Sequence, residues 1–451
     1  MLTAVFFLKN GVCSCKFPKM WYNISREEKE VREMDRVILH VDMNNFYASV
    51  SCLSHPELEG QPVAVCGDVE KRHGIVLAKN NIAKARGVKT ASTVREAQRI
   101  CGGLVCLPPD FAAYQRFSKL AKDICYSYTS QVESFGLDEC WMDVTGSVRL
   151  FGDGETIAND LRRRIREELG ITASVGVSFN KCFAKMGSDY KKPDATTVIS
   201  RDNYQTLLWG MPVSDLLFCG RKTAEKLHLW GIDTIGDLAR ADGEDMMRLL
   251  GKSGQMLWRY ANGMDDDPVS ERDAEHEVKS IGNGTTAPRD LVSDDDIRIV
   301  LRVLCDSVAS RMREAHLKCR GVQLEVRDRD LCTVQRQRML EAPTNLSKDL
   351  LAAAYALYME SYASQIALRP VRGLTVRVHA LSPEDMEGEQ MLFDLGQEDH
   401  SREEGLERAL DKLREKYGEN SIRTGNLYTD IKLSGVLSHS EHDEETEIAL
   451  D

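Results

Sequence analysis

The stretch 36-RVILHVDMNNFYASV-50 decides how the chain is read. Its first half, VILHV, is a short apolar, β-branched run of the kind that forms a strand buried on both faces, and it stops at Asp42. Directly after it, FYASVSCL carries apolar residues at helical spacing, so a strand passing into a helix is expected, with an acid at the junction. Taken alone, that acid is an ordinary cap or turn residue. A second stretch changes its meaning. The segment 132-VESFGLDECWMDVTGS-147 reads as a strand pair around a tight turn at Gly136, with Asp138 and Glu139 set between Leu137 and the apolar Cys140, Trp141 and Met142. An exposed strand edge would be polar there. Two like charges sunk side by side are costly unless a cation neutralises them, and hard oxygen ligands select Mg²⁺ or Mn²⁺ over zinc. Successive residues of a regular strand face opposite ways, so both acids reach one site only if the turn breaks the pleat, which Gly136 allows. Asp143 lies about 13 Å further along an extended strand and is left out. Such an acid cluster serves two-metal displacement at phosphorus.

Outward from these stretches the chain is mixed α and β up to about residue 200. PVAVC (62–66) and ITASVGVS (171–178) read as strands, and 74-GIVLAKNNIAKARGV-88 as a strand entering a helix. FAAYQRFSKLAKDICYSYT (111–129), ETIANDLRRRIREELG (155–170) and NKCFAKMGSDYKK (180–192), halted at Pro193, read as helices. Residues 201–264 carry short helical signals punctuated by glycine, and the acidic 265–277 reads as a linker. Strand and helix alternate again over 278–383, and a short amphipathic helix is expected at 406-LERALDKLREKYG-418.

With 451 residues the chain can bury several cores, and no uncharged apolar run reaches the roughly 18 residues that cross a bilayer. Residues 1–34 read as a loose extension, with Met34 as an alternative start. The opening MLTAVFFL has no preceding basic residue or clean small-x-small site, so no secretory leader is expected. Thirteen cysteines, an odd number without CxxC pairs, point to reduced thiols and a cytoplasmic protein. The net charge of −12 is concentrated: residues 386–451 hold 7 Lys/Arg against 18 Asp/Glu, leaving 52 against 53 over 1–385. A near-neutral body can still present a basic channel to DNA, while the acidic tail 384–451 reads as a solvated segment.

VDMNNFYASV, GLDECWMDV and GVSFNKCFAKMGSDYKKP, in that order and spacing, resemble the catalytic segments of Y-family translesion DNA polymerases of the bacterial DNA polymerase IV type. The resemblance runs from about Arg36 to Leu381. It implies an α+β multidomain right hand: a ferredoxin-like palm (35–50 and 112–200), small fingers (51–111), a helix–hairpin–helix thumb (201–264) and a βαββαβ little finger (278–383). It further implies a monomeric, template-directed polymerase of low fidelity that takes primer–template DNA and dNTPs. No separate exonuclease segment is visible, so no proofreading is expected.

Residue by residue, Asp42 resembles the first ligand of two Mg²⁺ ions (Mn²⁺ being the alternative) and Met43 the backbone carbonyl ligand. Asp138 resembles the second bridging acid and Glu139 the adjacent catalytic acid. Phe46 and Tyr47 match the aromatic pair under the sugar, Tyr47 as the steric gate against a 2′-OH. Lys192 matches the triphosphate lysine. Asn81 and Lys84 stand where the family carries Tyr and Arg, with Lys79 or Arg86 as candidate compensation. In 216-LLFCGRKTAEKL-227, Gly220 and Lys222 match the phosphate-holding hairpin, while Phe218 replaces its first glycine. VKSIGNGTT (278–286), RDRD (327–330) and RQR (336–338) suit contact with the DNA backbone without base readout. In 389-EQMLFDL-395, Glu389, Gln390, Leu392 and Phe393 resemble a sliding-clamp peptide. Two rivals stand against this reading. One is an inactive homologue serving as a clamp-associated adaptor, disfavoured by the three intact acids. The other is a two-metal nuclease or phosphohydrolase, disfavoured by the gate aromatics and Lys192.

Overall fold

The computed structural model describes residues 35–68, 74–272, 277–384, 401–418, 421–422, 425–428 and 430–435. Strands β1 (Ile38–Met43), β2 (Val63–Cys66), β3 (Val76–Lys79) and β4 (Val105–Leu107) alternate with helices α1 (Phe46–Leu53), α2 (Asn81–Ala85) and α3 (Val94–Ile100). Then come α4 (Phe111–Tyr126), β5 (Val132–Ser134), β6 (Glu139–Asp143), α5 (Val148–Phe151), α6 (Gly154–Leu169), β7 (Ala173–Ser178), α7 (Lys181–Tyr190) and β8 (Thr196–Ile199). Five short helices follow: α8 (Tyr204–Leu208), α9 (Arg221–Leu229), α10 (Ile235–Arg240), α11 (Gly243–Leu250) and α12 (Lys252–Ala261). Last are β9 (Ser280–Leu291), α13 (Asp294–Glu314), β10 (Leu317–Asp328), β11 (Thr333–Thr344), α14 (Ser347–Ser361), β12 (Val371–Pro383), α15 (Ser401–Tyr417) and α16 (Ile431–Ser434).

These elements form two units. One comprises the residues up to Asn44 with Ser118–Arg272, the other Asn45–Phe117 with the residues after Arg272. In the first, a five-stranded sheet runs β5-β6-β1-β7-β8, with β1 at its centre and all six of its residues buried. α6 lies against the sheet face bearing Leu39 and Val177, since a Cβ on Gly154 would strike Val177 at 2.7 Å and touch Leu39 at 3.8 Å. α7 lies against the opposite face, which by strand alternation carries His40, Asp42 and Gly176. There Gly176 is required, because a Cβ would meet the Ala184 carbonyl at 1.9 Å and the Ser188 amide at 2.5 Å. That backbone approach seats α7 directly beside Asp42. Asn180 caps α7 by accepting from the Phe183 amide at 2.7 Å. Phe183 then joins Phe179, Met186 and the apolar faces of α8–α12 in one core.

The segment expected to be a linker begins instead as a docked strap. Arg36 donates to the carbonyls of Asp265 (2.9 Å) and Asp267 (2.8 Å), Val269 is buried, and the Ser270 amide donates to Glu133 at 2.9 Å. Backbone groups, the buried Val269 and the buried Asp265 carboxylate, which accepts from the Cys182 amide at 2.9 Å, do this, and acidic composition does not reveal which acid will be buried.

The second unit contains a small sheet, β3-β2-β4, and a four-stranded antiparallel sheet, β11-β10-β12-β9, backed by α13 and α14 in the expected βαββαβ order. Phe46 and Tyr47 fall in this unit: Tyr47 stacks on Tyr114 (4.4 Å, 9°) and meets Phe111 edge-on. The expectation of a solvated acidic tail is corrected over 401–435. Arg313 of α13 forks onto Asp411 (2.6 and 2.9 Å) and also binds Glu407, whose carboxylate accepts from the Ser347 amide at the start of α14. Lys318 pairs with Glu404, Arg408 with Glu384 and Arg289 with Asp430, while Leu427 and Leu433 enter the core. The tail's acids find cations already fixed on the domain.

Candidate active site

The antiparallel register between β1 and β6 puts Asp42 directly opposite Glu139. Directly paired residues share a face with Cβ atoms about 5 Å apart. The Met43 amide donates to the Asp138 carbonyl at 2.9 Å, which brings the third acid to the end of the same strand. Asp138 sits in the bend before β6 and so escapes strict alternation, and Gly136 makes that bend with a left-handed φ of +86°. Asp143 serves elsewhere, accepting from the Thr145 amide at 2.9 Å.

Two lysines of the α7 region face the acids. Lys185 Nζ lies 3.3 Å from Asp42 and 2.8 Å from Glu139, and Lys192 Nζ lies 2.5 Å from Asp42. Asp189 accepts from both, Lys192 at 2.6 Å and Lys185 at 3.4 Å. Below them Ser188 donates to the Lys185 carbonyl at 2.8 Å, so its oxygen accepts from His40 Nδ1, also at 2.8 Å. His40 Nε2 therefore presents a lone pair 3.3 Å from Glu139 Oε2. Apart from Lys185, whose ammonium lies 2.8 Å from the Glu139 oxygen, neither atom has a partner among the described residues.

The charge is incompletely compensated. Burial, with Glu139 and Asp42 adding repulsion, pushes the Asp138 carboxyl from its usual 3.8 up to about 6. Burial also raises Asp42, against the pull of Lys192. Lys185 and Lys192 are raised despite burial by the acids they face, and desolvation with Lys185 drops His40 to about 3, leaving it neutral. Among the described residues no three His, Cys, Asp or Glu side chains form a ready metal cage; lysine ammonium groups stand among the acids instead. Even so, an all-oxygen donor set, a buried Glu139 oxygen with no partner but Lys185 and an excess of negative charge fit a hard divalent cation.

The other expected residues lie elsewhere. In the second unit, Lys79 donates to Thr90 at 2.7 Å, Asn81 accepts from Asn45 at 2.8 Å, and Lys84 is exposed. Arg86 reaches Cys101. Gly220 precedes α9, Lys222 is exposed on it, and Phe218 takes φ +65°, the left-handed conformation glycine favours. Glu389, Gln390, Leu392 and Phe393 fall outside the described residues. Sequence reading missed Lys185, Asp189, His40 and Ser188. The i, i+4 and i, i+7 spacing of Lys185, Asp189 and Lys192 was the available signal. It also missed Asn44, whose amide donates to Ser174 while its carbonyl accepts from the Asp194 amide.

A solved Y-family DNA polymerase chimera superposes with a TM-score of 0.67 over 76% of this chain and 98% of its own, at 22% identity. The fold is thus that of a Y-family DNA polymerase. Residues 41–189 match the impB/mucB/samB family and 278–391 its C-terminal domain. The DNA polymerase IV of Acetivibrio thermocellus is 49% identical over 89% of this chain and all of its own length. DNA polymerase IV 1 of Bacillus subtilis is 36% identical over 86% of this chain and 92% of its own. The chain belongs to the impB/mucB/samB family. Y-family polymerases generally depend on a divalent metal, and among the described residues no helix is long and apolar enough to cross a membrane.

Proposed function

We propose that Asp42, Asp138, Glu139 and the Met43 carbonyl hold two Mg²⁺ ions, with Mn²⁺ able to substitute, and that Glu139 is the catalytic acid beside the primer terminus. The chain is a template-directed translesion DNA polymerase, joining dNTPs to the 3′ end of a primer paired to template DNA. The observation that carries the residue assignment is the Asp42–Glu139 pairing with Asp138 bonded through its carbonyl to Met43.

The cations would supply charge neutralisation at the triphosphate and ease loss of the primer hydroxyl's proton. The chain's own groups do the rest. Lys185 and Lys192 hold the acids' charge in the metal-free protein. Lys192, once relieved of Asp42, is the donor for the triphosphate, and Asp189 keeps it within reach. Tyr47, supported by Tyr114 and Phe111, closes the sugar pocket against a 2′-OH, with Phe46 behind it. Lys79, Asn81 and Lys84 face the incoming nucleotide, and Gly220 and Lys222 grip a DNA phosphate.

The palm, fingers, thumb and little finger take the residue ranges given above. Glu389, Gln390, Leu392 and Phe393 dock on a sliding clamp. The enzyme is a low-fidelity, non-proofreading cytoplasmic monomer.

Primer extension on intact and abasic templates by wild type beside Asp138→Ala/Glu139→Ala tests the assignment. Extension by the wild type and none by the variant is expected, and undiminished synthesis by the variant removes it. Tyr47→Ala should raise ribonucleotide incorporation at least about tenfold, a discrimination near 1.4 kcal/mol.

A further inference from the structure

The turn that carries Asp138 is held by two side chains to which no role has been given. Ser118, on α4 and 3% exposed, donates its hydroxyl to the Leu137 carbonyl. Lys122, one turn further along the same helix, donates from Nζ to the Gly136 carbonyl at 2.9 Å. The donors are four residues apart and therefore share a helix face, and the acceptors are the two consecutive carbonyls just before Asp138.

The turn needs such support. Gly136 has no side chain with which to lock it, and a Cβ there would sit 3.7 Å from the Asp138 Oδ1 in a conformation that L residues avoid. Its closure rests on the Phe135 amide bonding the Glu139 carbonyl at 2.9 Å, and its far end on the Met43–Asp138 bond. Both of those contacts leave the 136–137 and 137–138 peptide planes free to rotate. Ser118 and Lys122 hold the oxygens of those two planes.

We propose that Ser118 and Lys122 are positioning residues for the polymerase reaction, setting the direction of the Asp138 carboxylate by fixing the two peptide planes that precede it. This rests on the reading of Asp138 as a cation ligand. Both side chains bond backbone carbonyls and not an acid of the site, although the Lys122 charge is felt by Asp138. Residues that orient a metal ligand from behind commonly change metal affinity by 10- to 100-fold when removed.

The test compares Ser118→Ala, Lys122→Met and the double variant with the conservative Ser118→Thr and Lys122→Arg, with Asp138→Ala as reference. Mn²⁺ affinity of the full chain without DNA or dNTP is read by electron paramagnetic resonance, and kcat and dNTP KM by single-nucleotide insertion. The double variant should bind Mn²⁺ about tenfold more weakly and lose about tenfold or more in kcat, with KM within about twofold. Lys122→Arg, which still donates to a carbonyl, should recover most of both. Should Ser118→Ala unfold the protein, Lys122→Met and Ser118→Thr carry the same comparison. A folded double variant with wild-type Mn²⁺ affinity and kcat overturns the positioning role, provided Asp138→Ala has lost Mn²⁺. If Asp138→Ala itself retains wild-type Mn²⁺ affinity, the ligand reading fails, and this proposal with it.

Discussion

Two clusters of acids and bases in this molecule have nearly the same composition and opposite characters. In the first, Asp42, Asp138 and Glu139 meet Lys185 and Lys192 at the end of β1. In the second, Glu407 and Asp411 meet Arg313 beneath α15. The arginine is 4% exposed and spends its fork on both oxygens of Asp411, on Glu407 and on the Asn345 carbonyl, so both carboxylates are hydrogen-bonded by one guanidinium. In the lysine cluster a Glu139 oxygen has only the Lys185 ammonium beside it and faces the His40 lone pair, and Asp138 is raised to about 6. A planar guanidinium makes a permanent joint, whereas an ammonium is a point charge that a divalent ion can displace. Composition alone does not separate a structural ion cluster from a functional one; geometry and leftover hydrogen-bonding capacity do.

The largest effect should come from removing an acid in the lysine cluster. Asp138→Ala should lower the single-turnover insertion rate by about a thousandfold or more, some 4 kcal/mol of barrier, with little change in thermal midpoint. A rate near wild type would make this cluster as structural as the other. Arg313→Ala should do the reverse. Leaving Glu407 and Asp411 without the guanidinium should cost about 3–5 kcal/mol, seen as a lower unfolding midpoint, while insertion per folded molecule at low temperature stays within about twofold.

Acid should move Asp138 and the carboxylates around Arg289 in opposite directions in the metal-free protein. Asp138 has a folded pKa above its usual value, so its ionisation opposes folding. The penalty is absent below pH 3.8, grows between 3.8 and about 6, and is complete above that. Its relief on acidification is worth on the order of 2 kcal/mol after solvent relaxation. Where the docked tail meets α13, hydrogen bonds from Arg289 hold Asp296 of α13 and Asp430 of the tail below the usual 3.8. Their stabilisation is fully present above pH 3.8 and is lost as pH falls beneath it. Thermal midpoints in chelator at pH 7, 5 and 3 check both signs. Buried neutral His40, held at about 3 against a usual 6.5, costs stability over the same acid range. The Asp138 contribution is therefore read as the difference between wild type and Asp138→Asn, which should shift in favour of the wild type from pH 7 to 5. Asp430→Asn should reduce the loss below 4.

The smallest effect belongs to the rim of the tail. Lys318 and Lys348 pair with Glu404 and Glu403 at partly exposed positions, so Lys318→Ala or Lys348→Ala should cost about 0.5 kcal/mol and fade in high salt. A cost near that of Arg313→Ala would mean that the tail is held by net charge and not by the arginine fork.

The acid pair and its turn were legible in the sequence because local signals carry them: an apolar run ending at Asp42, and Gly136 just ahead of two acids set among apolar residues. The helix leading to Lys192 was legible for the same reason. Lys185 was not singled out, because a lysine on a helix has no local mark saying that it will lie against β1. That position follows from Gly176, whose missing Cβ lets α7 approach the sheet. Ser118 and Lys122 were hidden similarly, since their acceptors are backbone carbonyls, which every residue possesses.

By itself, then, the sequence determined the strands and helices of both halves, the order of the motifs and the family they belong to. Period and turn chemistry act between near neighbours and survive reading one residue at a time. Only the tertiary structure decided which acids meet lysines and which meet arginine, and that the described residues between 401 and 435 pack on a domain. Arg313 and Asp411 are 98 residues apart, Asp42 and Lys192 150. A charge carries no record of its partner until folding sets the distance, burial and angle between them.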